Sequence, residues 1–163
     1  MSLPLRMLMR LWKGSSLGKM LKTSRFIYLV ATILFLTGVL VQVFLAGMVV
    51  VSFRMSWLTH INLGHTLAAP LLVMLVTVYL GRFPASMKRL TWLLFGVYFL
   101  QADVVIFLRV QAPVIAALHP VLALVDFALG LALARRAWPL ARGVQAPASM
   151  QPHLETSIIN EGG

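Results

Sequence analysis

Four long apolar runs, at about 26–53, 59–80, 90–108 and 113–134, dominate this chain of 163 residues. Each run can cross a bilayer as an α-helix, which takes roughly 20 residues. Hydrocarbon offers no partner for an open backbone hydrogen bond, so such segments cross as complete helices. The short connections predict that consecutive helices are antiparallel neighbours. We therefore predict an all-α membrane protein, an up-down bundle of four transmembrane helices within residues 26–136.

The composition excludes several other classes of protein. Hydrophobic residues make up 60% of the chain and charged residues 11%, whereas a soluble domain carries about 25% charged residues. Cysteine is absent, which excludes disulfides, iron–sulfur clusters and covalently attached haem. The net charge is +10, but the basic residues flank apolar runs instead of forming a patch. The expected partner is therefore the lipid bilayer and not nucleic acid.

The distribution of Lys and Arg predicts the orientation of the helices. If four spans alternate, Arg54 and Arg109 fall on one side of the membrane and the other basic residues fall on the opposite side. Basic loops remain in the cytoplasm, so both termini are predicted to be cytoplasmic in a multi-pass protein of the cell (inner) membrane. The cytoplasmic set is Arg6, Arg10, Lys13, Lys19, Lys22, Arg25, Arg82, Lys88, Arg89, Arg135, Arg136 and Arg142.

Two tails flank the predicted bundle. Residues 1–25 form a basic tail, which is either a short interfacial helix lying on anionic lipid or a disordered segment. Residues 137–163 are polar and contain Pro and Ala, which is typical of disorder. His153 lies in this second tail and is expected to be solvated.

We number the four predicted helices 1 to 4 in chain order. Helix 4 carries a stripe of small and polar residues, namely Ala116, His119, Ala123, Asp126 and Gly130. The spacing of three or four places them on one helical face. Such a face contacts protein and not lipid. It indicates either close helix packing or room for a flat cofactor beside His119.

Three titratable residues on three helices are predicted to share one layer near the non-cytoplasmic face. His119 lies six residues after Pro113, His65 six residues after Thr59 and Asp103 six residues before Arg109. Each is therefore about 9 Å into the membrane. His60 competes with His65, because five residues separate them by about 140° around the helix. Gly64 one turn away favours His60, whereas greater depth favours His65.

This layer suits haem b held by two histidines. Neutral imidazoles from two helices can bind haem iron axially, and a carboxylate can orient one of them. His119 is then one ligand and His60 or His65 the other, with Asp103 in support. Arg54 and Arg109 lie where the haem propionates would emerge. A plain buried hydrogen bond between Asp103 and a histidine is the alternative.

Deeper polar residues add a further hypothesis. Asp126 lies about 10 Å deeper than His119 on the same stripe, where a carboxyl is expected to be neutral or paired. With Gln101 on helix 3, it is a candidate proton or quinol site. Gln42 on helix 1 is expected to form an interhelical hydrogen bond.

Two short motifs carry a resemblance. The stretch Trp57-Leu-Thr-His60-Ile-Asn-Leu-Gly64 and the later Leu118-His119-Pro120-Val-Leu-Ala resemble the signatures of a family of small bacterial four-helix membrane proteins without an assigned function. The resemblance covers residues 26–136, and Ile61 stands where the family often has a basic residue. The architecture is also similar to that of small b-type cytochromes.

These observations leave three functional hypotheses, none of which names a catalytic residue. The first is a non-enzymatic accessory or assembly subunit of a membrane complex, or a homo-oligomer. The second is a haem b-binding or quinone-linked electron-transfer protein with bis-histidine ligation between helices 2 and 4. The third is a small transporter or channel.

Overall fold

The computed structural model describes residues 5–52, 56–104, 107–108 and 110–143, with side chains described from residue 16 onward except that of Ala116. Every regular element in these ranges is helical. The elements are α1 (Leu5–Ser52), α2 (Trp57–Thr66), α3 (Ala68–Leu80), α4 (Ala85–Phe99) followed by a π-helical turn (Leu100–Val104), α5 (Pro113–Ala116) and α6 (His119–Ala141).

Three helical stretches are long and apolar enough to cross a membrane, namely Ser16–Ser52, Trp57–Leu80 and Pro113–Ala141. The second stretch joins α2 to α3 with one turn residue, Leu67, between them. The predicted run at 90–108 differs, because α4 begins earlier and gives way to the π-helical turn. Apolar composition marks the part of a helix that suits hydrocarbon and does not mark where the backbone hydrogen bonds begin.

Four long helical segments pack around one apolar core. α1 lies against α3 and α6, and α4 lies against the same two helices. The outer faces are also apolar, since Phe44 is 63% exposed, Val51 80% and Leu124 67%. Helices that are apolar on all sides are typical of membrane spans. The largest side chains of the core are Tyr28, Phe35, Leu71, Met74, Met87, Leu94 and Leu133.

Small residues let the helices approach closely. At Gly130 on α6, a Cβ atom would lie 2.9 Å from Leu36 Cδ2 on α1, and Leu67 contacts Gly38 on α1. At these positions the stripes of small residues are filled by side chains of neighbouring helices. The packing interpretation of the stripe on α6 therefore holds at Gly130.

The basic end of the bundle is joined by hydrogen bonds. Arg25 Nε–H donates to the carbonyl of Gly81 at 3.0 Å. Thr91 donates its hydroxyl proton to the Met87 carbonyl at 2.8 Å, so the 2.7 Å contact between Tyr28 Oη and Thr91 Oγ1 has Tyr28 as its donor. These bonds fix α1 against α4 and against the turn that precedes it.

The first and last described helices both extend beyond the apolar runs. α1 begins at Leu5, so the basic segment continues the first span, and α6 extends to Ala141 instead of ending near residue 134. At the end of α6 the Arg142 guanidinium lies 4.1 Å from the centre of the Trp138 ring. A positive charge at a helix C-terminus is also stabilised by the helix dipole. The polar segment from residue 144 onward, with His153, lies outside the described residues.

Removal of the Tyr28 hydroxyl should destabilise the bundle. We expect Tyr28→Phe to lower the free energy of unfolding in detergent by about 1 kcal/mol, because a buried interhelical hydrogen bond is lost. Tyr79→Phe is the matched control, since its hydroxyl accepts from Trp92 Nε1–H on the exposed surface. Equal losses for the two variants would contradict the assigned role of Tyr28.

Candidate functional site: a facing histidine pair

His60 is held by a reciprocal pair of hydrogen bonds between α2 and α1. Ser56 caps the N-terminus of α2 by accepting from the N–H of Leu58 at 3.1 Å, which places His60 in the first helical turn. His60 Nδ1–H donates to the backbone carbonyl of Gln42 at 3.2 Å. In return, Gln42 Nε2–H donates to the backbone carbonyl of His60 at 2.9 Å. The imidazole is therefore fixed against α1.

His119 is anchored in the same way from another helix. It is the first residue of α6, and Pro120 follows in the first turn, where a missing N–H is tolerated. His119 Nδ1–H donates to the backbone carbonyl of Gln101 at 3.1 Å. Gln101 lies in the π-helical turn after α4, and such turns are frequent at functional sites.

The two imidazoles, one on α2 and one on α6, lie close together in an edge-on arrangement. Their ring centres are 6.1 Å apart and their planes are inclined by 67°. Trp57 lies edge-on to His60, with ring centres 5.6 Å apart. Both histidines are half-buried.

The hydrogen bonds fix which nitrogen of each ring is protonated. A backbone carbonyl only accepts, so Nδ1 of His60 and of His119 carries the hydrogen. In a neutral ring Nε2 then has a lone pair, and neither Nε2 atom is hydrogen-bonded within the part of the chain that the structure describes. Histidine ligands of metals are typically oriented in this way, by an N–H group donating to a carbonyl.

A second polar pair lies deeper in the bundle. Gln101 Nε2–H donates to Asp126 Oδ2 at 2.8 Å. Asp126 is fully buried and Gln101 is 8% exposed. Among the described residues, Asp126 Oδ1 and Gln101 Oε1 have no hydrogen-bond partner. The structure therefore brings together the two residues that the sequence suggests as a proton or quinol site.

Gly64 serves a different purpose from the one expected. A Cβ at this position would lie 2.7 Å from Gln42 Nε2, so the side chain of Gln42 occupies the space considered for a porphyrin edge. The Gly64 carbonyl accepts a hydrogen bond from the Tyr98 hydroxyl at 2.6 Å. Gly64 thus lets α1 reach the backbone of α2.

Several candidates from the sequence lie elsewhere. His65 is exposed, away from the histidine pair, and Asp103 is exposed on the π-helical turn. The hydrogen bond that orients His119 goes to the Gln101 carbonyl, and the supporting role of Asp103 stays a prediction. Arg54 and Arg109 lie outside the described residues. Sequence reasoning missed Tyr98 and the two carbonyl anchors, because backbone acceptors leave no signal in residue identity.

No metal centre is built from protein ligands alone in the described ranges, which contain no cluster of three or more His, Cys, Asp or Glu able to hold an ion. The histidine pair offers two nitrogen ligands. A metal held there would need its remaining ligands from a cofactor or from water.

The fold and the site define an all-helical protein with helices of membrane-spanning length and a pair of facing histidines. Residues 42–107 are similar to a family described as "Family of unknown function (DUF6220)". The matched segment includes Gln42, His60 and Gln101 and ends before His119. Neither the curated proteins nor the solved structures give a match to this chain.

A methyl group at Gly64 should break the contact between α1 and α2. We expect Gly64→Ala to destabilise the protein by about 1–3 kcal/mol, since the added Cβ displaces Gln42 and overpacks the helix contact. Gly96→Ala is the matched control, because nothing lies within 4 Å of a Cβ there, and we expect no loss of stability. Detergent unfolding monitored by circular dichroism measures both; a Gly64 variant as stable as the Gly96 variant would refute this assignment.

Proposed function

We propose that the chain is a four-span protein of the inner membrane, with both termini cytoplasmic, that holds haem b between His60 and His119 and transfers single electrons. The observation that carries this proposal is the facing pair of imidazoles, each anchored through Nδ1 to a carbonyl. The remaining nitrogens are the atoms that bind haem iron in bis-histidine proteins.

The two imidazoles lie close enough to hold one group together. Their ring centres are 6.1 Å apart, and in each neutral ring Nε2 has a lone pair, because Nδ1–H is bonded to a carbonyl. A haem bound there would take its protein ligands from these two nitrogens.

The number of protein ligands favours haem over a free ion. Haem iron takes four nitrogens from the porphyrin, so one or two protein ligands would be enough to hold it. A free transition-metal ion of the kind that imidazole suits usually requires three or four protein ligands. Bound haem would supply a one-electron couple, and the residues of this chain would orient the imidazoles and exclude water.

The combined length of α4 and the π-helical turn supports a fourth span. α4 and the π-helical turn together cover residues 85–104, which is about 30 Å of helix. α2 begins near His60, and its continuation α3 ends just before Arg82. α6 begins at His119 and ends just before Arg142. Both therefore run from the histidine pair to the basic end of the bundle. The histidine pair then lies near the non-cytoplasmic face.

The predicted orientation can be tested by single-cysteine labelling, since the chain has no cysteine. In intact cells, we expect Ser56→Cys to react with a membrane-impermeant maleimide and Ser86→Cys to react only after lysis. Both positions are exposed in the structure, so lysed cells provide the control for reactivity. The reverse labelling pattern would contradict the orientation.

A non-enzymatic accessory subunit is the second candidate. It is favoured by the filled spaces beside Gly38, Gly64 and Gly130, where Leu67, Gln42 and Leu36 occupy the room that a cofactor would need. In this case the histidines would serve as interhelical hydrogen-bond donors. The two candidates make opposite predictions for the visible spectrum.

Haem binding should depend on two of the three histidines near this face. Purified from a haem-replete host, the wild-type protein should show a Soret band and a reduced α-band. We expect His60→Ala and His119→Ala to lose most of the haem, because each removes one of the two imidazoles that would hold it. His65→Ala is the matched control and should retain it, because His65 is exposed away from the pair.

Two outcomes would overturn haem binding by His60 and His119. The first is a folded wild-type protein without a Soret band, which would favour the accessory subunit. The second is loss of haem in His65→Ala with retention in His60→Ala. Circular dichroism and gel filtration of each variant separate loss of haem from loss of fold.

A further inference from the structure

We infer that the groove between α1 and α6, near the basic end of the bundle, binds an anionic phospholipid. An acyl chain of the lipid lies in the groove, and its phosphate is held by Arg135 and Arg142. This site is independent of the histidine pair and of any cofactor, because it lies towards the opposite end of the two helices.

The groove is apolar at its floor and open at its sides. It has a volume of about 390 Å³ and is lined by Leu29 and Ile33 on α1 and by Ala134, Arg135 and Trp138 on α6. Leu29 is buried, whereas Ile33 is 44% exposed and Trp138 is 46% exposed. Both helices belong to stretches that are long and apolar enough to cross a membrane. In a bilayer the groove therefore faces lipid, and burial of an acyl chain against its floor is favourable.

Two arginines lie on the face of α6 that borders this groove. Arg135, Trp138 and Arg142 follow one another at spacings of three and four, so they share one helical face. Arg135 lines the groove itself, and the Arg142 guanidinium lies 4.1 Å from the centre of the Trp138 ring. Guanidinium groups bind phosphate oxygens through paired N–H groups. Stacking on an aromatic ring covers only the flat face of the guanidinium and leaves these N–H groups at its edge.

α1 adds a further positive charge beside the groove. Lys22 lies seven residues before Leu29, which is about two helical turns, so the two residues share one face of α1. Lys22 is exposed and lies towards the basic end of the bundle. Basic pockets between membrane helices, at the surface of the bilayer, are typical sites for anionic lipid headgroups.

The charge of the arginines is not balanced within the part of the chain that the structure describes. The acidic residues in these ranges are Asp126, which is fully buried in the bundle, and Asp103, which lies on the π-helical turn. Arg135 forms no hydrogen bond or ion pair with any described residue. A guanidinium beside hydrocarbon is costly without an anion. We therefore expect the anion to come from the surroundings of these helices.

An anionic phospholipid suits this arrangement better than other anions do. The groove favours an apolar chain, and the arginines favour an anion at the membrane surface beside it. Soluble phosphate or an acidic peptide supplies only the anion, whereas an anionic phospholipid carries both parts in one molecule. A zwitterionic phospholipid has a cation next to its phosphate, which the arginines repel. Phosphatidylglycerol should therefore be preferred to phosphatidylcholine.

Fluorescence quenching by brominated lipids tests this site, because Trp138 lines the groove. The starting variant carries Trp12→Phe, Trp57→Phe and Trp92→Phe, so that Trp138 is the remaining tryptophan. It is reconstituted in vesicles of equal parts phosphatidylglycerol and phosphatidylcholine, with bromine on the acyl chains of one lipid at a time. We expect brominated phosphatidylglycerol to quench Trp138 more strongly. The preference should be on the order of fivefold, which is the effect of one basic residue beside an anionic lipid.

Two arginine variants separate a specific site from general attraction to positive charge. We expect Arg135→Gln to lose most of the preference, because it removes the guanidinium that lines the groove. Arg136→Gln is the matched control and should keep the preference. It removes the same charge from the next residue, which is exposed about 100° further around α6 and is not part of the groove.

Equal losses of preference in the two arginine variants would overturn the site. Equal quenching by the two lipids in the starting variant would also overturn it and would favour an acidic segment of a protein partner as the anion. Circular dichroism of each variant checks that it is folded. Native mass spectrometry of the wild-type chain, Arg135→Gln and Arg136→Gln measures the same lipid preference without the tryptophan substitutions.

Discussion

Two hydrogen bonds from imidazole Nδ1–H groups to backbone carbonyls determine how the polar end of this bundle is arranged. His60 donates to Gln42, and His119 donates to Gln101. In a setting that offers little water, each buried donor needs an acceptor within the protein, and a helical carbonyl retains a second lone pair that can serve. These bonds hold α2 against α1 and α6 against the π-helical turn, and they leave both Nε2 atoms available. The arrangement of the site therefore follows from the need of each ring N–H group for a hydrogen-bond acceptor, which a backbone carbonyl provides.

The two ends of the bundle are stabilised by different interactions. At the basic end, Arg25, Tyr28 and Thr91 join α1 to α4 and to the preceding turn through side-chain hydrogen bonds. At the other end the contacts connect histidines to carbonyls. Between them lies an apolar core with no ionisable group on α1. Because different residues stabilise each end, substitution of a histidine need not weaken the contacts that hold the basic end. This separation allows the histidine pair to be tested by mutation in a folded protein.

Much of the helical organisation could be predicted from the sequence, whereas the pairing within the site could not. Apolar runs predicted the membrane-length helices, but α6 continues past residue 134 because helical hydrogen bonding does not stop where hydrocarbon ends. The small and polar stripe correctly placed Asp126 and Gly130 against protein. The choice between His60 and His65 stayed open, since it depends on Gln42 reaching across Gly64. The Gln101 carbonyl that accepts from His119 could not be predicted, because every residue has a backbone carbonyl and residue identity does not distinguish one from another.

The π-helical turn explains why one residue can contact both polar sites. A π-helical turn has a wider spacing of backbone hydrogen bonds than the α-helix that precedes it, so the residues within it are rotated relative to a continued α4. Gln101 is the buried member of this turn, whereas Asp103 two residues later is exposed. The backbone carbonyl of Gln101 therefore accepts a hydrogen bond from His119, and its side-chain amide donates one to Asp126, further along α6. Gln101 therefore fixes the orientation of two side chains that lie about two helical turns apart on α6.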